Sequence, residues 1–206
     1  MNPVPLKIDV VGMAMATGEL QRIRNGLADR RQLHAAIAGD AVKFTRDYVS
    51  GSARHATAQR LGATPTGFRE RAAKLIESDS DADAAHIRIP RSTGLGRAFS
   101  DIVITPGPGR KYLTIPASAE TYGKVCRDFP GDAFDFVIYQ GIKPFPALVW
   151  AENGGTHKKG DLAYWLRREV TQKQDRTLLP SDADYLELGR RRAVAFIANL
   201  RYYSTP

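Results

Sequence analysis

Lys111-Tyr112-Leu113-Thr114-Ile115-Pro116-Ala117-Ser118-Ala119-Glu120-Thr121-Tyr122-Gly123-Lys124 is the stretch on which the fold class turns. Tyr112 to Ile115 are β-formers that alternate in size and polarity, so the spacing predicts a strand with one buried face. Pro116 ends the pairing, because it has no N–H to give a sheet ladder. Ser118 then offers a hydroxyl cap, Glu120 an acid for a first turn, and Gly123 a stop, which is room for barely a turn or two of helix.

Working outward, Pro106-Gly107-Pro108-Gly109 is turn chemistry, fed by a strand at Ile102 and Ile104. Ile87 and Ile89 mark an earlier strand that stops at Pro90. Downstream, Phe134, Phe136 and Ile138 form one period-two run, and Phe145, Ala147 and Val149 a second. Tyr164, Leu166 and Arg168, alternating with Trp165, Arg167 and Glu169, form a third. Between the last two, Asn153-Gly154-Gly155 tolerates positive φ and predicts a hairpin turn with His157, Lys158 and Lys159 at a basic tip. Such a hairpin, over 145–170, either projects from the body or ends in a plain solvated loop.

The flanks read as helices, after an opening strand over Leu6, Ile8 and Val10. Thr17 caps a short helix bearing Leu20, Ile23 and Leu27, and Leu33, Ile37, Ala41, Phe44 and Tyr48 continue that face to Gly51. A break is expected between Gly26 and Arg30. Phe68, Ala72, Leu75 and Ile76 supply the stripe of a short helix, followed by an acidic solvated turn over Ser78 to Asp83. After Pro180, Ser181 caps a last helix burying Leu186, Ala193, Phe196, Ile197 and Leu200. Gly189 on that face invites close approach of another backbone. Arg190, Arg191 and Arg192 are about 100° apart in turn and cannot make one flat basic patch.

At 206 residues the chain suits one domain, 1–206, with a proper core. Hydrophobic content of 43% and charged content of 25% are those of folding proteins. A single cysteine, Cys126, rules out an intramolecular disulfide and reads as an inert, partly buried thiol. No apolar run reaches membrane-spanning length, and the N-terminus has no signal-peptide pattern. The net charge of +8 allows nonspecific DNA contact, or serves solubility and salt bridges between subunits.

Three further stretches belong with the opening one. They are His55-Ala-Thr-Ala-Gln-Arg-Leu-Gly-Ala-Thr-Pro-Thr-Gly-Phe-Arg-Glu-Arg-Ala-Ala73, Tyr164-Trp-Leu-Arg-Arg-Glu-Val-Thr-Gln-Lys173 and Leu178-Leu-Pro-Ser-Asp182. In this order the four resemble segments of the phage virion morphogenesis proteins, also described as tail-completion proteins, of tailed phages and prophages. The resemblance runs from about His55 to the C-terminus. It implies a virion component at the head–tail junction that completes or terminates the tail as a hexameric ring. Its partners would be copies of itself and tail-tube, sheath or neck and connector proteins. Assembly would occur in the host bacterial cytoplasm, with no cofactor.

Those motifs name no functional residues, so interface positions follow from loop character and exposure. The segments are Ser52 to Gly67, Arg91 to Arg97 and Glu152 to Lys159. The candidates are Arg60, Arg91, Arg97, Asn153, His157, Lys158, Lys159, Trp165 and Arg191. Enzymatic signatures are missing: the sequence holds no Gly-x-Ser-x-Gly elbow, His-Glu-x-x-His pair, Walker loop or Cys-x-x-Cys pair. His34 reads as an ordinary helix histidine, and the acidic tract fails the calcium-loop pattern. The competing reading is a basic nucleic-acid-binding module, which requires basic and aromatic residues interleaved on one sheet face. Only Tyr164 to Arg168 offers that, with Trp165 otherwise a core or interface residue. The expected fold is α+β: a mostly antiparallel sheet of about four to six strands, with helices packed on one face and a projecting β-hairpin.

Overall fold

The computed structural model describes residues 13–51, 56–140, 144–152 and 157–202. The fold is α+β, with mostly antiparallel pairing. The expected opening strand and the Asn153-Gly154-Gly155 turn lie outside the described residues. The chain forms two compact units. One holds the helices up to Asp47, residues Ile76–Ile89 and the chain from Pro180; the other holds Tyr48–Leu75 and Pro90–Leu179.

In the first unit, helix α1 (Met13–Ala28) and helix α2 (Arg31–Gly51, which continues into the second unit) are separate helices broken at Asp29. The Asp29 carboxylate accepts the Arg31 N–H at 3.1 Å, so the break also caps the next helix. Leu33, Ala38, Ala41 and Thr45 of α2 are buried. The buried Thr45 donates its hydroxyl to the Ala41 carbonyl and lies 2.7 Å from the hydroxyl of the half-buried Tyr185, so its polar group is satisfied. Tyr185 belongs to helix α5 (Asp182–Tyr202), and Phe44 meets its ring edge-on.

Helix α5 starts as expected, with the Ser181 and Asp184 side chains and N–H groups capping one another. Its core face differs: Leu186 is 76% exposed, because the inward positions are Tyr185 and Leu188, about 100° and about 160° round the helix from it. Gly189 also departs from expectation. A Cβ there would meet nothing within 4 Å, whereas one at Gly26 of α1 would lie 2.5 Å from Leu200 of α5. The close approach is therefore at Gly26, where α1 crosses α5. The three arginines fan apart as their spacing requires, Arg190 and Arg191 to Glu187 and Arg192 to Asp40. The acidic tract is partly a strand. β1 (Glu77–Ser80) pairs antiparallel with β2 (Ala85–Arg88), and Asp79 bonds Arg88 across the pair. Asp81 closes the turn by accepting the N–H groups of Asp83 and Ala84.

The second unit is built on a four-stranded antiparallel sheet. Across it the strands run β4 (Leu113–Pro116), β7 (Leu162–Arg167), β6 (Phe145–Trp150), β5 (Phe134–Tyr139). Beside it, β3 (Ile102–Ile104) pairs with β8 (Val170–Gln172). The hairpin expected to project is thus made of the two central strands. The described part of its connection folds back: His157 stacks on Trp150 with ring centroids 3.7 Å apart and bonds Glu120 at 2.6 Å. A histidine 21% exposed against an indole is held by apolar contact, which a solvated tip would not supply.

Pairing residues in an antiparallel ladder share a face. One face carries the row Tyr139, Phe145, Arg167, Leu113 and the row Val137, Ala147, Trp165, Ile115. The other carries Phe136, Leu148, Tyr164, Pro116, and packs its Phe134–Trp150 end into an aromatic core with Phe129. Tyr164 is fully buried in that core and donates to the Lys124 carbonyl at 3.2 Å, while burial pushes its phenol above the ordinary range. Burial likewise raises the Cys126 thiol, in keeping with an unreactive residue.

A cleft where four sequence stretches meet

The register of β7 slips by one residue against β6, leaving Ala163 as the extra residue of a bulge. Its carbonyl is taken up by the stretch over 111–124. Ala117 donates its N–H to it at 2.9 Å, and the fully buried Thr121 donates its hydroxyl at 2.9 Å. Ser118 and Thr121 then seal the loop on themselves, with their hydroxyls 3.1 Å apart. The result is a hydrogen-bonded turn instead of the short helix the cap pattern predicts, because Thr121 spends its hydroxyl on the sheet. Gly123 leaves this turn at φ +77°, and a Cβ there would collide with the Thr66 methyl.

That contact joins the first stretch to the second. Thr66 precedes helix α4 (Phe68–Lys74), and its carbonyl accepts from Arg71 at 2.7 Å. The expected stripe holds in half: Ala72 and Ile76 are buried, with Ala73 beside them, while Phe68 and Leu75 are about half exposed. Phe68 lies over Gly94, where an added Cβ would sit 3.2 Å from the ring tip. Gly94 joins two 3-10 turns, Arg91–Thr93 and Leu95–Ala98. Thr93 is fully buried and satisfied by the Pro90 carbonyl at 2.6 Å and the Leu95 N–H at 3.3 Å.

Arg97, from the second of these turns, reaches Asp175 at 3.0 Å, and the Asp175 N–H returns to the Arg97 carbonyl at 2.9 Å. The Thr177 hydroxyl, with help from the Thr177 N–H and Arg97, holds the Asp175 carboxyl below the ordinary range. Gln174 bonds the carbonyls of Ala98 and Phe99, and Lys173 pairs with Asp101. The link between the third and fourth stretches, through Gln174 and Asp175, is thereby tied to the second 3-10 turn and the residue after it.

These ties enclose a cleft of about 610 Å³. Its lining takes Tyr122 from the first stretch, Thr57, Thr66, Phe68 and Arg69 from the second, Gln172 from the third and Leu178 from the fourth. Gly94, Leu95, Arg97, Ile104 and Asp175 complete the wall. Its lining is mixed: Phe68, Leu95, Ile104 and Leu178 are apolar, beside Thr57, Thr66, Arg69, Gln172 and the Arg97–Asp175 pair.

No family model, no curated protein and no solved structure matches the chain.

Two of the three expected interface segments converge on this cleft: the described part of Ser52 to Gly67, through Thr57 and Thr66, and Arg91 to Arg97, through Gly94, Leu95 and Arg97. The third, Glu152 to Lys159, does not. Arg97 is less available than its loop position implies, because Asp175 holds it. Arg60 and Arg91 are exposed, as are Lys158 and Lys159, and Arg191 pairs with Glu187 in the other unit. Asn153 lies outside the described residues. Trp165 is half-buried against Phe145, ring centroids 4.6 Å apart. Sequence reasoning does not single out Tyr122, Ile104 or Gln172. Tyr122 and Gln172 are legible only as letters of the resembling stretches, and Ile104 only as a strand residue.

Proposed function

We propose that this chain is a structural protein of a tailed-phage particle, acting at the head–tail junction to complete or terminate the tail as a ring of identical subunits. The observation that supports this most is the convergence of all four resembling stretches on one cleft. They are spread over more than half the chain and share no local element, so a common surface is the physical reason for them to occur together. A cleft of mixed lining with Phe68 49% and Ile104 37% exposed beside polar groups suits a side chain or short segment from a neighbouring subunit. A contact between such a cleft and a different patch on the next copy is heterologous, and heterologous contacts form rings where the rotation between copies closes. The cleft's carboxylate is engaged by Arg97 and Thr177, which fits docking better than proton transfer. Virion localisation follows from the same reading; among the described residues no helix is long and apolar enough to cross a membrane.

The test is to image the purified protein alone and with tail tubes, and to repeat both with Phe68→Glu. Concentration-dependent rings that bind tube ends, lost in the variant while unfolding is unchanged, are expected. A protein that stays single at high concentration and is absent from particles would overturn the proposal.

A second reading, a basic nucleic-acid-binding module, is favoured by one observation. Tyr139, Phe145 and Arg167 occupy one row of the sheet with Trp165 beside them, and the Arg167 guanidinium lies 5.7 Å from the Phe145 ring centroid. Stacking rings interleaved with arginine is the chemistry of single-strand binding. A salt-sensitive DNA shift lost in Arg167→Ala with Arg168→Ala would support it; no retention of DNA by ring-forming protein would exclude it.

A further inference from the structure

The four-stranded sheet has two edges of unlike character. β4, at one edge, is four residues long and ends on Pro116, with Arg110 and Lys111 just before it. Short length, proline and cationic flanks are what keep an edge from pairing with another chain. β5, at the other edge, has none of these. It runs six residues, Phe134-Asp135-Phe136-Val137-Ile138-Tyr139, in unbroken register with β6, and contains no proline, lysine or arginine. Its outer side pairs with no strand among the described residues. Phe136 is 58% exposed, Ile138 51% and Tyr139 41%. The Ile138 carbonyl is met by the amide of its own Gln140 at 3.5 Å, a weak local contact that an incoming strand replaces.

We propose that β5 pairs antiparallel with β5 of a second copy, about a two-fold axis at Val137, joining two sheets into one of eight strands. The sequence of the strand selects both the occupant and the register. Residues facing each other across an antiparallel pair share a face, so a two-fold pair matches positions of like parity. Centred on Val137, Phe136 faces the partner's Ile138 and Ile138 the partner's Phe136, which covers both exposed apolar side chains. Asp135 then faces the partner's Tyr139, whose hydroxyl is a donor for a carboxylate. This register also sets the two Asp135 carboxylates four positions apart, about 13 Å along the strands. Centred on Phe136 instead, they would stand two positions apart, about 7 Å, and Tyr139 would face Ala133, outside the strand. Charge therefore favours the Val137 axis.

The area limits the strength. An aromatic side chain offers about 150–250 Å², so the three exposed side chains bring on the order of 300 Å² per copy. The pair falls short of the roughly 1,200 Å² of a stable complex. Pairing is accordingly reversible and concentration-dependent. It is distinct from ring closure, since an isologous contact saturates at two subunits.

The test uses the full chain in sedimentation. A reversible step to twice the subunit mass is expected, weakened about tenfold or more by Ile138→Lys and retained in Ile138→Val; in Phe68→Glu, which removes rings, the step persists. Register is read by crosslinking in a Cys126→Ser background. Val137→Cys should form a disulfide with itself on mild oxidation. Phe136→Cys should not, but should crosslink to Ile138→Cys in a mixture. Absence of the two-subunit species up to about 1 mM, indifference to Ile138→Lys, or equal self-crosslinking at 136 and 137 would overturn the proposal.

Discussion

Replacing Gly123 by alanine tests whether backbone contact, and not ion pairing, shapes the cleft. Gly123 stands at φ +77°, where a side-chain-bearing residue costs about 1–2 kcal/mol. The new Cβ would also collide with the Thr66 methyl, and overpacking of this kind costs about 1–3 kcal/mol. Gly123→Ala is therefore expected to lose about 2–5 kcal/mol. In a Thr66→Ser background the colliding methyl is gone, and only the backbone part, about 1–2 kcal/mol, should remain. Both tryptophans, Trp150 and Trp165, lie in the unit that contains the cleft, so tryptophan fluorescence during urea unfolding reads that unit alone. With a slope of about 1–3 kcal/mol per molar urea, the single variant should shift the midpoint by about 1 M or more, and the double variant by clearly less. An equal loss in the two backgrounds, or a loss below about 0.5 kcal/mol in the first, would refute the proposed contact between the first and second stretches.

Thr121→Val should cost about 1–3 kcal/mol, because it removes a buried hydroxyl from the Ala163 carbonyl, while Thr121→Ser should cost less; the same fluorescence assay measures both. In the helical unit, Gly189→Ala should stabilise by about 0.5–1 kcal/mol, since its surroundings are open, whereas Gly26→Ala should forfeit that gain against Leu200. Thermal melts followed by helical circular dichroism distinguish the pair. The Glu187 carboxyl is brought down to about 2 from 4.5 by hydrogen bonds from Arg190 and Arg191. A depressed carboxyl contributes stability above its unfolded value and loses it as pH falls through its folded value, so α5 should weaken between about pH 4.5 and pH 2. Glu187→Gln should remove its part of that acid titration in a pH series of melts.

Much of the secondary structure could be read from periodicity. The runs at Ile102, Phe134, Phe145 and Tyr164 are strands, and the Ser181 cap opens the last helix, because these are local consequences of side-chain alternation and capping. The failures share another cause. Leu186 and Leu188 differ little as letters, and only the packing of α5 against Thr45 decides which turns inward. Gly26 and Gly189 both sit in helices; the helix crossing that singles out Gly26 is a contact with a residue far along the chain. His157 looks like a basic loop tip until Trp150 and Glu120 are placed beside it. The acidic tract is half a strand because Ala85 to Ile87 pair across from Ser78 to Ser80, which its own solvated composition does not reveal.

The cleft is the extreme case of the same rule. Its four contributing stretches could each be recognised as strings, yet their meeting depends on a bulge at Ala163, a glycine at positive φ and a threonine hydroxyl turned toward the sheet. Each is a device of backbone geometry, and each fixes a distance independent of charge. Ionic contact enters mainly through Arg97 and Asp175, at the wall. A cleft set in this way keeps its shape across changes of salt, which the proposed role as a subunit joint would require. The open edge of β5 lies on a different strand from any that lines the cleft. The proposed ring joint and the proposed two-copy seam can therefore be broken separately by substitution on one chain.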